Sequence, residues 1–130
     1  NLFRCYLVTE DTKILDSVKK GYTYYRENLF RPDNTPLHFS EIKYNKLRKY
    51  EMYDYAEGIT LGCLLKDQIP GAFDFAQILT NDLVQRFQVK KGHFLTRVTS
   101  FNQKISIPYH RWPQAQLFYS LTNMLNLLKP

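Results

Sequence analysis

The sequence predicts a mainly helical protein of αα-hairpins stacked side by side, with one short β-hairpin before the last helix. Three observations predict it. Apolar side chains recur at three- and four-residue spacing in four separate stretches, the period drops to two only between Gly92 and Tyr109, and proline or glycine punctuates the junctions. The order is helix, loop, helix, helix, hairpin, helix, which makes a mainly helical protein with one small strand pair.

The elements follow in order. Ile14, Val18, Tyr22, Tyr25 and Leu29 fall on one face of a helix from about Thr12 to Phe30, with Thr12 or Asp11 as its cap. Arg31 to Asn45 holds Pro32, Asp33, Asn34 and Pro36, so it reads as a loop with a short extended piece around Leu37 to Ile42. A second helix is predicted over Tyr50 to Lys66, with Tyr53, Ala56, Thr60, Cys63 and Leu64 inward, and Pro70-Gly71 ends it. A third covers Ala72 to Gln88 with Ala76, Leu79, Leu83 and Phe87 as its stripe. Phe94, Thr96 and Val98, then Ile105, Ile107 and Tyr109, alternate with their neighbours, which makes Ser100 to Gln103 the turn of a hairpin. The last helix starts near Trp112-Pro113 and is expected to bury Phe118, Leu121, Leu125 and Leu128.

At 130 residues the chain is one helical domain, 1–130, with room for a core and none for a second domain. Stacked hairpins have raw ends, so it reads as an edge piece of a longer array or a fragment whose open flank self-association would cover. No run approaches the roughly 18 apolar residues of a membrane span. Cys5 and Cys63 stand far apart, without a metal-ligand spacing, and are expected to be buried free thiols, a usage that fits a reducing cytoplasm. The three histidines, His38, His93 and His110, form no metal-ligand pattern, and no phosphate-binding loop occurs, so no metal or cofactor is implied.

Lys and Arg outnumber Asp and Glu by 18 to 12, a net charge of +6, which attracts polyanions of any kind. The densest positive stretch, Lys43 to Lys49, interleaves cations with Tyr44 and Tyr50. It reads as a solvated loop, and with no recognition motif beside it nucleic-acid binding is not expected.

The most informative stretch pairs Gly92-His93-Phe94 with Ile107-Pro108-Tyr109-His110-Arg111-Trp112-Pro113-Gln114-Ala115-Gln116-Leu117-Phe118-Tyr119-Ser120-Leu121. It resembles the C-terminal part of uncharacterised bacterial α/α-toroid proteins found with polysaccharide-biosynthesis genes, some of which carry a porphobilinogen synthase label. Gly21-Tyr22-Thr23-Tyr24-Tyr25-Arg26-Glu27-Asn28-Leu29-Phe30, followed by Tyr53-Asp54-Tyr55-Ala56-Glu57-Gly58, is similar to the same group in order and spacing. The departures are Pro113, where a small residue is expected, and Lys49-Tyr50-Glu51-Met52-Tyr53 in place of a proline-containing turn. The resemblance implies the C-terminal fragment of a helical toroid related to six-hairpin glycosidases. It does not imply a synthase, which would need a β/α barrel and a Schiff-base lysine.

Candidate site residues follow from chemistry and from that likeness together. Asp54 lies near a helix start, where it serves as a dipole partner or as the acid/base of a glycoside hydrolase or lyase, with Glu51 and Glu57 as nearby carboxylates. Arg111 and His110 sit at a strand-to-helix junction, and a guanidinium fork suits a uronic acid carboxylate or a structural ion pair. Trp112 serves as a core anchor or, like Tyr24, Tyr25 and Tyr109, offers a flat face for a pyranose ring. The leading expectation is a carbohydrate-associated domain that binds or processes an acidic oligosaccharide or polysaccharide in bacterial envelope metabolism, and the fragment alone is expected to be inactive. The alternative is a non-catalytic interaction module whose tyrosine-rich face, drawn from ten tyrosines, docks a protein.

Overall fold

The computed structural model describes residues 2–40, 49–90, 92–99, 101, 103–107 and 110–129, and for His110 and Arg111 the backbone alone. Among these residues the chain forms five α-helices and one small antiparallel sheet. The helices are α1 (Leu2–Thr9), α2 (Thr12–Asn28), α3 (Met52–Leu64), α4 (Ala72–Phe87) and α5 (Ala115–Leu128). The strands are β1 (Lys49–Glu51), β2 (Arg97–Thr99) and β3 (Lys104–Ile105), and a π-helical stretch, His110–Gln114, leads into α5.

Helix α3 is the centre, packed against α4 on one side and α5 on the other. Met52, Tyr55 and Ile59 of α3 and Leu79, Leu83 and Phe87 of α4 are fully enclosed, each large apolar side chain contributing about 1.5–3 kcal/mol. The two helices approach closely because Gly62 has no side chain: a Cβ there would stand 2.5 Å from the Ala72 carbonyl oxygen and 2.7 Å from the Ala76 Cβ. Between α3 and α5 the contact is partly polar. Ser120 Oγ, wholly buried, lies 2.8 Å from Thr60 Oγ1 and within 2.8 Å of the carbonyl oxygens of Ala56 and Gln116. The α1/α2 hairpin joins this body through a second cluster, in which Tyr22 meets Leu65 and Ala72, with Phe3 and Val18 alongside.

The sheet closes the N-terminal end of α3. β1 and β2 pair Lys49 with Thr99, Tyr50 with Val98 and Glu51 with Arg97, while β3 pairs with β2 on its other edge. β1 runs directly into α3, and the Met52 amide donates to the Thr96 carbonyl at 3.1 Å. Helix α2 starts where expected, the Asp11 carboxylate accepting from the Lys13 amide at 2.9 Å.

Several expectations need correction. The hairpin is the outer part of a three-stranded sheet, because β1 hides in a basic, tyrosine-rich stretch that gives no two-residue period. Helix α1 was not anticipated, and Cys5 on it is exposed, because this helix leaves no residue buried. Tyr53 and Leu64 face outward from α3. On α5 the inner side is Leu117, Ser120 and Met124, so the expected stripe of Phe118, Leu125 and Leu128 points away from the body. Two apolar stripes compete on that helix, and the one carrying the Ser120 contact faces α3. The extended piece near Leu37 to Ile42 is described only as far as Ser40, where the Leu37 amide bonds to the Leu29 carbonyl and Phe30 bridges to Pro36. Lys43 to Arg48 lie outside the described residues.

Candidate functional site

The first turns of α3 present a carboxylate to the loop that follows α2. Asp54 is half-buried, and its Oδ2 lies 3.1 Å from Nδ1 of His38. The loop brings His38 there because its base is pinned: Asp33 Oδ1 accepts from the Thr35 hydroxyl at 2.6 Å and from the Thr35 amide at 3.1 Å, and the Arg31 guanidinium donates to the Pro36 carbonyl at 3.0 Å. The His38 ring then packs edge-on against Phe39.

Burial raises the Asp54 carboxyl above the ordinary carboxylate range, the hydrogen bond and charge of His38 oppose the rise, and Glu51 adds to it. A carboxyl with this balance holds its proton more readily than a solvated one, the property required of a group that donates a proton. Glu51 itself is engaged elsewhere, with Lys49 Nζ at 2.7 Å and the Arg97 guanidinium against the same carboxylate oxygen.

Glu57 stands one turn after Asp54, on the same side of α3. Its Oε1 accepts from Gln116 Nε2 of α5 at 3.0 Å, and it shares a hydrogen bond with the Tyr53 hydroxyl that, with burial and the charge of Glu57 itself, raises that phenol. The Tyr53 ring is 5.8 Å from the Trp112 ring, the two planes tilted by 51°. Trp112 rides on the π-helical stretch and is 74% exposed, so it is no core anchor. π-Helical turns concentrate at functional positions because they displace a side chain from its regular helical direction.

Tyr25 of α2 completes the group. Its hydroxyl reaches over Gly58, where a Cβ would lie 3.1 Å from the oxygen, and burial together with the charges of Asp54 and Glu57 raises its ionisation well above that of a free phenol. A tyrosine so placed holds its proton more tightly than a free phenol.

Of the residues expected in the site, Tyr25, Asp54 and Trp112 come to the same end of α3. Tyr109 lies outside the described residues, and of His110 and Arg111 only the backbone is described, at the start of the π-helical stretch. Sequence reasoning missed His38, which stands 16 residues from Asp54 across a loop and belongs to no motif. It passed over Tyr53 and Gln116 as well, although Gln116 lies inside the Gln-Ala-Gln opening of the quoted segment. Among the described residues no group of acidic, histidine and cysteine side chains is arranged to hold a metal ion. Burial pushes the Cys63 thiol up to about 11, which makes it unreactive. No described helix is long and apolar enough to cross a membrane.

Comparison of the chain with models of protein families, with curated proteins and with solved structures finds no match.

Proposed function

We propose that this chain is part of an α/α toroid and binds or processes acidic glycans in bacterial envelope polysaccharide metabolism. The observation that carries the reading is the Asp54 carboxyl, shielded from water, hydrogen-bonded to His38, and set beside Tyr25 and the tilted Tyr53/Trp112 ring pair. A sugar is half polar and half apolar, and this end of α3 offers both a carboxyl that holds its proton more readily than a solvated one and an exposed indole on which a pyranose ring can stack. The net charge of +6 favours a glycan that carries carboxylates, and the sequence offers Arg111 as a candidate to hold one.

In the hydrolytic form of this reading, Asp54 gives its proton to the glycosidic oxygen as the bond to the anomeric carbon breaks. Glu57 is committed to Tyr53 and Gln116 and lies on the same helix face, so it orients the aromatic pair. The carboxylate required on the far side of the sugar would come from another hairpin of the toroid. The eliminative alternative needs a base near the sugar, and that group too would come from another hairpin. In either chemistry this domain alone is a binding unit.

Isothermal titration with uronic-acid oligosaccharides tests the reading. Exothermic binding is expected, weakened about tenfold or more by Asp54→Asn and by Trp112→Ala, the loss that one charged hydrogen bond or one stacking face carries. Absence of heat with every acidic glycan tried would end it.

A further inference from the structure

Arg26 lies on the inward side of α2, with Tyr22, Tyr25 and Leu29. Its guanidinium carbon stands 3.2 Å from the centre of the Phe75 ring of α4 and 5.5 Å from that of Phe30. Both rings are buried and meet edge to face with centres 4.9 Å apart, and Tyr25 meets Phe30 in the same way at 5.0 Å. These rings form a platform that fixes where the cation sits.

Stacking occupies the flat face of a guanidinium. Its N–H groups lie in the plane and point out from the edge, where a carboxylate is gripped by two parallel bonds. Among the described residues none accepts a hydrogen bond or forms an ion pair with the Arg26 guanidinium, and its Nη1 is buried without a partner. Nε and Nη2, unbonded as well, form the edge that remains for an incoming ligand. Arg31, Arg86 and Arg97, by contrast, each reach a protein oxygen. Burial lowers Arg26 from the ordinary arginine value, opposed by the phenols of Tyr22 and Tyr25 and by no carboxylate among the described residues. A partly dried cation without an acid beside it is stabilised by an anion that arrives from solution.

The place of Arg26 selects the anion. Tyr25, its neighbour in the chain, sends its hydroxyl over Gly58 to the end of α3 that carries Asp54 and Glu57. Phe30 touches both Tyr25 and Arg26, so the guanidinium and the Asp54 carboxyl flank one tyrosine. A uronic acid carries its carboxylate on a carbon that projects from the ring, so a sugar beside Asp54 can present that group to a cation at its flank.

We propose that Arg26 binds the carboxylate of the acidic sugar through its in-plane N–H groups, on the platform of Phe30 and Phe75. This rests on the reading of the Asp54 end as a glycan site, and it gives the acid group to Arg26 in place of Arg111.

Isothermal titration at neutral pH compares an oligogalacturonate with its methyl ester, which has the same sugar without the charge. The wild type is expected to prefer the acid by about tenfold or more, the difference that one charged hydrogen bond makes. Arg26→Met keeps an unbranched stem over Phe75 and removes the fork, so the preference should fall to near unity, with circular dichroism confirming unchanged helix content. Arg26→Lys keeps the charge without the fork and should restore part of it. Arg4→Met removes the same charge from the exposed surface of α1 and should leave the preference intact. Nitrogen-15 spectra of the arginine Nε groups read the site with a single sugar: the Arg26 signal should shift with galacturonate and stay in place with its methyl ester. A preference that survives Arg26→Met, or that is lost in Arg4→Met or Arg111→Met instead, would overturn the proposal. So would an unmoved Arg26 signal, or equal movement with inorganic phosphate. An Arg26 signal that moves with galacturonate while no oligosaccharide binds would uphold the carboxylate site and end the glycan reading, whereas oligosaccharide binding with an unmoved signal would do the reverse.

Discussion

Asp54 and Tyr55 are consecutive residues of α3 that look to different sides of the helix, and each brings a polar group into partly dry surroundings. On the Tyr55 side the arrangement is closed. The ring is fully enclosed against Phe87, its hydroxyl donates to Asp82, and Arg86 holds both oxygens of that carboxylate at 2.8 and 2.7 Å. Every charge there has its opposite, and Tyr50 lies 5.0 Å beneath the Arg86 guanidinium. On the Asp54 side the carboxyl meets an imidazole, and no Lys or Arg is bonded to it among the described residues. The first arrangement spends its polarity on holding α3 to α4. The second leaves a carboxyl whose protonation state is adjustable, which a structural contact does not need and a ligand site does.

The contrast can be broken from the Tyr55 side first. Tyr55→Ala should lower unfolding free energy by about 3–5 kcal/mol in urea titrations, since it opens a cavity between α3 and α4. Tyr55→Phe keeps the packing and removes one of the two donors to Asp82 Oδ2, which Arg86 still holds, so about 0.5–1.5 kcal/mol is expected in the same experiment. Arg86→Ala comes next, at up to about 1 kcal/mol, because the Arg86/Asp82 pair is one helical turn apart and partly solvated.

The Asp54 side should respond in the opposite sense. Its carboxyl is raised in the folded chain, so between the ordinary value of 3.8 and the raised one the folded state binds more protons than the unfolded state. Stability therefore falls as pH rises through that window and stays lowered above it. Asp54→Asn removes the effect: thermal melts should show a slightly higher midpoint at neutral pH and a flatter profile just above pH 3.8. The smallest effect is the most local. His38→Ala takes away the larger of the two groups that oppose the rise, leaving Lys49, so the carbon-13 titration of the Asp54 carboxyl should move to higher pH, with little change in overall stability.

How much of this was legible in one dimension depends on the range of the interaction. The stripes of α2 and α4 were readable because Val18 and Tyr22, or Leu79 and Leu83, recur within one helix and face one side. The α5 stripe was misread because two faces, Leu117/Ser120/Met124 and Phe118/Leu125/Leu128, have the same period, and only the bonds of Ser120 to Thr60 and Ala56 decide between them. Strand β1 was invisible because three residues within a charged stretch acquire their conformation from pairing with β2. In the site, Asp54, Tyr25 and Trp112 could be named from local patterns, whereas His38 arrives through a loop geometry that depends on Asp33, Thr35 and Arg31 together.

The bare backbone at Gly58 and Gly62 has a consequence for anyone wishing to alter this molecule. A Cβ at Gly58 would meet Leu79 Cδ1 at 2.5 Å, and one at Gly62 would strike the Ala72 carbonyl, so the central rod has no slack in the direction of α4. Grafting a new specificity onto the domain is therefore a matter of rewriting residues 31–40 and the approach to α5 while the rod is left untouched, in the way a tool keeps its handle when its bit is exchanged.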